Sequence, residues 1–592
     1  MSLAIAELEL LAARCRRNVV RMVEAGGSGH LGGAMSIIDV LTALYFEVLR
    51  IDPARPGWPQ RDRFLLSAGH KAMGQYAVLA ERGFFDKSLL DSYGAMGTRL
   101  GGHPDMHKLP GVEANTGALG HGLGIATGMA LGLRLQGSDA RVFTVLGDGE
   151  LPEGSNWEAA AAAAHHKVDN LVAIVDNNDL QISGRVGEVM SMTPIAGKFE
   201  AFGWASREID GNGMPQVLAA LRAVPFEPGC PSVIVAHTRK ARGLSFAEDK
   251  VAYHYWKPGP DACTSGCRVG GRRGRTDRRA HIVTRLIDPR KEFGRAVTRI
   301  AEINSQVVVL SADSGGSSGF GEFARTHPER YFEFGIMEQG VTGIAAGLAT
   351  TGLIPVFAAI APFVTSRNFE MFRNDLGYMR QNVKIVGRNG GFTYADLGAT
   401  HHSLEDYAIT RMIPGVVVFA PSDPGEIRGC AQAMIDHTGP TYMRIGAQGL
   451  PDLFEEQPIR IGRGRLVRQG GDVTVVSTGY ITTQAVSAVQ RLTGHGCHAD
   501  LISMPTPSHL DAGLICASAA RTGAVVSVEE HYEIGGLGGA VAELLSAEQP
   551  TRLLRIGVPH RYQPSGPYPG LLQHAGLDAA AIAARIQAFL AR

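Results

Sequence analysis

Residues 141–178 read RVFTVLGDGELPEGSNWEAAAAAAHHKVDNLVAIVDNN, and the order of patterns in this stretch decides the fold class. RVFTVLGDG (141–149) and LVAIVDNN (171–178) are β-rich apolar runs that end in Asp or Asn at turns. Between them SNWEAAAAAAHHK carries an alanine-rich helical pattern. Strand, loop, helix and strand in about 35 residues make a βαβ unit, which implies a parallel sheet with helices packed on its faces.

The pattern continues outward. PSVIVAHT (231–238) is a further strand, and the N-terminal MSLAIAELELLAARCRRNVVRMVEA has the spacing and internal acids of an amphipathic helix, not of a signal peptide. Residues 258–285 lose periodicity and carry Gly, Pro and an arginine run (Arg268, Arg272, Arg273, Arg275, Arg278, Arg279), as a solvated linker does. A second α/β pattern follows with VVVLSAD (307–313), IPVFAAI (354–360), VKIVG (383–387) and GVVVFAPSD (415–423). A third begins near 455 with DVTVVSTG (472–479), HADLIS (498–503) and GAVVSVEEH (523–531). The expected organisation is three α/β domains, 1–257, 286–455 and 456–592, with the linker at 258–285.

Composition agrees with a large folded chain. Of 592 residues, 45% are apolar and 19% charged, and 57 basic side chains balance 57 acidic ones. Zero net charge removes a global electrostatic case for nucleic acid or an anionic membrane. No apolar run reaches the ~20 residues of a membrane span. Seven scattered cysteines form no secreted disulfide framework, and Cys263–Cys267 lacks the second pair that a zinc site needs. A cytoplasmic protein is expected. The 75 glycines are the one excess and imply many tight loops and close backbone approaches.

Chemistry concentrates at the ends of the first two strands. Asp148 and Asn178 fall where open α/β sheets bind ligands. A carboxylate, a carboxamide and a neighbouring carbonyl form a hard-oxygen set for Mg2+ or Ca2+ that leaves coordination positions for phosphates. A lone GDG is commonly only a strand-end turn; Asn177-Asn178 at this distance makes it specific.

GDG followed some 30 residues later by Asn-Asn resembles the thiamine-diphosphate enzymes, and the chain from GSGHLGGAMSIIDVLTALYFEVLRIDP to VEEHYEIGGLGGAVAELL resembles the transketolase family. The resemblance implies an α/β fold of three domains: two thiamine-diphosphate-binding parallel-sheet domains and a smaller transketolase C-terminal-type domain. It implies that Asp148, Asn178 and the Leu180 carbonyl hold a divalent metal (Mg2+, or Ca2+ or Mn2+) on the diphosphate of thiamine diphosphate. Gly149 and Glu153 would lie by the diphosphate, Gly117 and Leu119 by the middle of the cofactor, and Phe363 by its aminopyrimidine. His30, His70, His103 and His254, in GSGHLGG, SAGHKA, GGHPD and YHYWKP, would line the donor-sugar and thiazolium site, where imidazoles suit proton transfer. Glu338, in FEFGIMEQGVTGIAAGLA, matches the glutamate that stabilises the imino tautomer, and its apolar neighbours are expected to raise its pKa. Arg290, Ser317 and Arg444 match phosphate-holding positions, and His401 an acceptor-side histidine.

Two positions depart from the family pattern. Leu397 stands where G-E-D-G-P-T-H carries an aspartate, with Asp396 one residue away, and Asn389 replaces a phosphate-side histidine. The implied reaction is transfer of a two-carbon ketol unit from a ketose phosphate to an aldose phosphate through the cofactor's ylide and enamine. The alternatives weighed are a pyruvate-decarboxylating synthase of the deoxyxylulose-phosphate type, a decarboxylating component of a 2-oxoacid dehydrogenase, and a non-catalytic cofactor-binding scaffold. Family resemblance further implies a homodimer with its active sites at the subunit interface, sugar phosphates as substrates, and no nucleic acid or membrane partner.

Overall fold

A computed structural model describes residues 3–591 except 96–97, 182–183, 257–285, 313, 335–336, 396–397 and 565. The expected linker with its arginine run, Cys263 and Cys267, and the departures at Asp396 and Leu397, therefore lie outside the described residues. Contacts divide the chain into two compact units, Met1–Ser265 with Thr342–Thr351, and Gly266–Val341 with Gly352–Arg592.

The first unit is built on five strands, β1 (Arg63–Leu66), β2 (Val142–Gly147), β3 (Leu171–Asn177), β4 (Ala205–Asp210) and β5 (Ser232–His237), in the order β1-β2-β3-β5-β4. Every pairing is parallel. β2 and nearly all of β3 are buried, as strands covered by helices on both faces must be. The helix between them, Gly154–His165, buries Ala159, Ala160, Ala162 and Ala163, whose short side chains allow close packing. β4 escapes the sequence pattern because it is an edge strand with mostly exposed side chains. The N-terminal helix, Ile5–Gly26, buries Leu8, Ala12, Cys15, Val19, Met22 and Val23 along one face and ends at Gly27, whose φ is +66°.

The second unit holds two sheets. One has six parallel strands, β6 (Val307–Ser311), β7 (Tyr331–Glu333), β8 (Ile354–Ile360), β9 (Lys384–Arg388), β10 (Val417–Phe419) and β11 (Thr441–Arg444), in the order β10-β11-β9-β8-β6-β7. The other has β12 (Arg465–Arg468), β13 (Val473–Ser477), β14 (Ala499–Ser503), β15 (Ala524–Tyr532) and β16 (Arg552–Val558), in the order β12-β14-β13-β15-β16. Only the edge pair β12–β14 is antiparallel in that sheet. Among the described residues no helix is long and apolar enough to cross a membrane.

Candidate functional side chains follow the carboxyl ends of these strands: Asp148 after β2, Asn178 after β3, Arg388 and Arg444 at the ends of β9 and β11. The helix Pro289–Ile303, which carries Arg290 in its first turn, is seated by a mutual glycine contact. A Cβ on Gly294 would stand 2.0 Å from the Gly319 carbonyl oxygen, and one on Gly319 2.0 Å from that of Arg290. Gly294→Ala is expected to cost about 1–3 kcal/mol by overpacking and to lower the thermal midpoint. Gly321→Ala, with open space around the added carbon, should leave the midpoint in place. Equal midpoints for both variants would refute this account of the seating.

Candidate active site

In the first unit a cavity of about 410 Å³ is lined by His30, His70, His103, His254, Gly117, Leu119, Asp148, Gly149, Asn178, Leu180, Lys71, Gln181 and Lys240. All four histidines singled out by their motifs converge there. The His30 ring lies 5.4 Å from that of His70, 6.2 Å from His103 and 5.8 Å from His254, and His70 stacks on His254 at 5.6 Å. Burial, with lesser repulsion from His103 and Lys240, holds His30 down at about 4. Burial and then Lys240 take His254 to about 3, and burial keeps His70 well below its ordinary value. The imidazoles are therefore neutral near pH 7, able both to donate and to accept a hydrogen bond.

The floor is a buried polar network centred on Asp176, at the end of β3. Its Oδ2 accepts from Lys71 Nζ at 2.5 Å, Ser36 Oγ at 2.6 Å and Asn178 Nδ2 at 3.0 Å, and its Oδ1 from Thr238 Oγ1. Burial opposes the Asp176 charge, but Lys71 and the hydroxyl donors outweigh it and hold the carboxyl below its usual range. Asp148 lacks such partners. It accepts the Gly149 amide at 2.9 Å and the Asp179 amide at 2.5 Å, and burial followed by Asp176 raises it to about 6. Glu150, also buried, accepts from Ser67 Oγ at 2.5 Å and from the amides of Gly120 and Gly147 at 3.0 Å, pinning the 117–122 loop against the GDG turn.

Lys71 and Lys240 were not singled out by the sequence reading. Lys240 Nζ donates to the Leu180 carbonyl and lies 2.8 Å from His254 Nδ1, and burial lowers it to about 8. The signal for both was present in the glycines of GHLGG. A Cβ on Gly32 would stand 2.9 Å from Lys240 Cγ, and one on Gly33 3.1 Å from Lys71 Cγ, so these glycines make room for two lysine stems. Glu153, expected beside the diphosphate, is exposed at the start of the helix Gly154–His165 and does not line the cavity.

These residues fit a diphosphate with a divalent cation. Asp148, Asn178 and the Leu180 carbonyl are hard oxygen donors, and a cation would relieve the buried Asp148 charge. Gly149 brings bare backbone to the wall, and Gln181 Oε1 beside it is buried with no hydrogen-bond partner. Among the described residues no group of three or more His, Cys, Asp or Glu side chains is placed to hold a metal, so the set depends on the carbonyl and the carboxamide.

In the second unit Glu338, 6% exposed, is ion-paired to Arg367 at 3.1 Å, and that guanidinium covers the Phe363 ring at 4.0 Å. The apolar setting expected for Glu338 thus contains a cation that its motif did not announce. His401 meets the Phe363 and Tyr394 rings edge-on at 5.2 and 5.3 Å. The residues expected to hold a phosphate behave differently from one another. Arg290 forks onto Asp288, with Nε and Nη2 bonds of 3.1 and 3.0 Å. Ser317 is exposed and bonds the Ser314 carbonyl at 3.0 Å. Arg444 is buried: Nη2 donates to the carbonyls of Ser403 and Glu530, Nε stands 3.3 Å from Asp406, and the guanidinium lies 4.5 Å from the Tyr407 ring centre. Arg388, which sequence reasoning passed over, is 4% exposed beside Asn389.

Comparison with known proteins places these features in one family. Residues 9–255 match the model of the transketolase, thiamine diphosphate binding domain, residues 286–451 that of the pyrimidine binding domain, and residues 462–582 that of the C-terminal domain. Human transketolase is 30% identical over 612 residues, covering 98% of this chain and 97% of its own. Human transketolase-like protein 2 is 34% identical over 585 residues, covering 93% of each. The solved structure of transketolase from Leishmania mexicana superposes with a TM-score of 0.86 at 22% identity, over 100% of this chain and 98% of its own, a likeness of fold.

The neutral histidines make acid stability a test of this geometry. Unfolded, each takes up a proton near pH 6.5; folded, His30 does so only near 4 and His254 near 3. The unfolded state therefore binds more protons, so stability is full above about pH 6.5 and is lost as pH falls toward 4. Asp148, raised to about 6, Glu426, raised to about 7, and the buried Glu150, Glu529 and Glu530, also raised, work in the opposite direction, so the histidine contribution is read from the difference between a variant and wild type. Replacing His30 removes its share of the acid destabilisation, so between pH 7 and 4.5 the thermal midpoint of His30→Asn should fall less, or rise more, than that of wild type. An unchanged pH slope in that variant would show that His30 does not titrate as the geometry requires.

Proposed function

The chain belongs to the transketolase family and carries its thiamine diphosphate-binding domains, and from that premise we propose that it transfers a two-carbon ketol unit from a ketose phosphate to an aldose phosphate. The observation that carries this reading is the convergence of four neutral imidazoles on one cavity whose wall also bears Asp148, Asn178 and the Leu180 carbonyl. Thiamine diphosphate, when bound, supplies the nucleophilic carbon and the electron sink for breaking and making a carbon–carbon bond.

The chain's own residues bind, orient and move protons. Asp148, Asn178 and the Leu180 carbonyl would hold Mg2+, or Ca2+ or Mn2+, against the diphosphate, with Gly149 admitting the phosphates to the backbone. Gly117 and Leu119 would support the middle of the cofactor. Glu338 would hold the pyrimidine through a hydrogen bond and Phe363 would cover its ring, so Arg367 shares the Glu338 carboxylate with that ring. His30, His70, His103 and His254 would bond the sugar hydroxyls, taking a proton when a carbonyl forms and returning it when a hydroxyl is rebuilt. His401 would do the same for the acceptor aldehyde.

With thiamine diphosphate and Mg2+, xylulose 5-phosphate should release an aldose phosphate and pass two carbons to ribose 5-phosphate. Glu338→Gln should lower kcat by at least about 100-fold, within the range of general acid–base effects. Asp148→Ala should abolish metal-dependent binding of the cofactor in calorimetry. Release of CO2 from pyruvate without any ketol transfer would overturn the reading. A homodimer with its active sites at the subunit interface belongs to the same proposal, and full activity at monomer mass in sedimentation would contradict it.

A further inference from the structure

The contacts that orient the His401 ring are weak ones. It meets Phe363 and Tyr394 edge-on, and its Nδ1 lies 2.8 Å from the hydroxyl of the adjacent Thr400. The position of His401 therefore depends on the excursion of chain that carries it. That excursion leaves after β9 and is closed at its base by an antiparallel bridge between Gly391 and Ser403, with bonds of 3.0 and 3.1 Å.

Both limbs of the base are held by one strand end of the five-stranded sheet in the same unit. β15 lies inside that sheet, between β13 and β16, and finishes in Glu529-Glu530-His531-Tyr532. Glu530, 5% exposed, accepts the Phe392 amide at 2.6 Å through Oε1 and the Tyr568 hydroxyl at 2.8 Å through Oε2. A Cβ on Gly391 would stand 2.3 Å from that Oε1, so the limb and the carboxylate are in close contact. On the other limb, His531 Nε2 accepts the Ala408 amide at 3.3 Å, and His531 Nδ1 lies 2.7 Å from the Tyr532 carbonyl oxygen. An amide only donates and a carbonyl only accepts, so the proton sits on Nδ1. The Tyr532 amide adds a bond of 2.9 Å to the Leu404 carbonyl.

Burying a carboxylate is costly unless hydrogen bonds and a nearby cation offset it. Glu530 finds its offset in Phe392, Tyr568 and the charge of Arg444. The neighbouring Glu529 serves a different element: it accepts the Leu537 and Gly538 amides at 2.7 Å each and starts the helix Leu537–Glu548. The carboxyl end of a parallel strand is where such sheets take ligands, and at β15 that place is taken by the base of the His401 excursion.

We propose that Glu530 and His531 are positioning residues: they hold the two limbs, Gly391–Tyr394 and Ser403–Ala408, so that His401 is presented to the acceptor aldehyde, and they act through those limbs rather than on the substrate.

This assignment takes the role of His401 from the ketol-transfer reading, and its test separates the two. With holoenzyme saturated in xylulose 5-phosphate, aldose phosphate released in a single turnover reads the donor step. Transfer to glycolaldehyde, which carries no phosphate, reads the acceptor step. A displacement of about 1 Å at a reacting group costs about 100-fold, so Glu530→Ala should lower kcat/KM for glycolaldehyde by about that factor and leave the donor step within about 2-fold. Glu530→Gln keeps an acceptor for the Phe392 amide and should restore the acceptor step to within about 10-fold of wild type; Tyr568→Phe, which removes one bond, should lower it by about 3- to 10-fold. Should Glu530→Ala fail to fold, the other two variants carry the same comparison. Equal losses in both steps, or an unchanged acceptor step, would overturn the assignment.

Amide hydrogen exchange supplies an arm independent of activity. In Tyr568→Phe and the Glu530 variants, protection at Phe392 and across 398–408 should fall by about 10-fold, while the helix Leu537–Glu548 keeps its own. Unchanged protection in those limbs, or an equal loss in the helix, would refute the hold even if wild type transferred no ketol unit. A selective loss of protection in a protein that transfers none would instead sink the reaction and leave the hold standing.

Discussion

The buried pair between Lys71 and Asp176 is the constraint around which the first unit's cavity is assembled. Both side chains are essentially inaccessible to water, and a charge pair so placed survives only with close geometry and further hydrogen bonds. Asp176 obtains those bonds from Ser36, Asn178 and Thr238, each from a different segment. Ser36 ends the short helix that opens after His30, Lys71 follows His70, and Asn178 follows β3. One carboxylate thereby brings two histidine motifs to the candidate metal ligand. Glu150 repeats the arrangement for the 117–122 loop.

Glycine makes this density possible. Gly32 and Gly33 leave room for two lysine stems, and a Cβ on Gly69 would lie 2.6 Å from the Gly117 amide nitrogen. Gly117 itself sits at a φ of +140°, with the His103 ring 2.8 Å from where its Cβ would be. The glycine excess is thus partly a record of side chains and backbone crossing at close range. Cations and imidazoles share the resulting cavity, which explains why the histidines are neutral: burial and the nearby ammonium groups disfavour their charge together.

In the second unit the arginines divide by partner. Arg290 and Arg367 hold carboxylates, Arg444 donates to two carbonyls and pairs with Asp406, and Arg388 is buried with its Nε lacking a hydrogen-bond partner. The same residue type at successive strand ends therefore has different partners.

Local pattern was enough to read the architecture. Alternation of β-rich runs and helical stretches announced the parallel sheets, and the strand ends at Asp148 and Asn178 were legible because a strand end depends on the few residues around it. The histidines were legible by their glycine-rich neighbours. Short or exposed strands such as β1 and β4 were not, since their side chains carry little periodic signal. Which side chains are paired was decided only by the tertiary structure. Lys71 meets a carboxylate 105 residues away, and Arg444 a carbonyl 86 residues away. Those partners are set by how sheets and loops pack, so neither the exposure of Glu153 nor the difference between Arg388 and Arg444 can be read from the residues beside them.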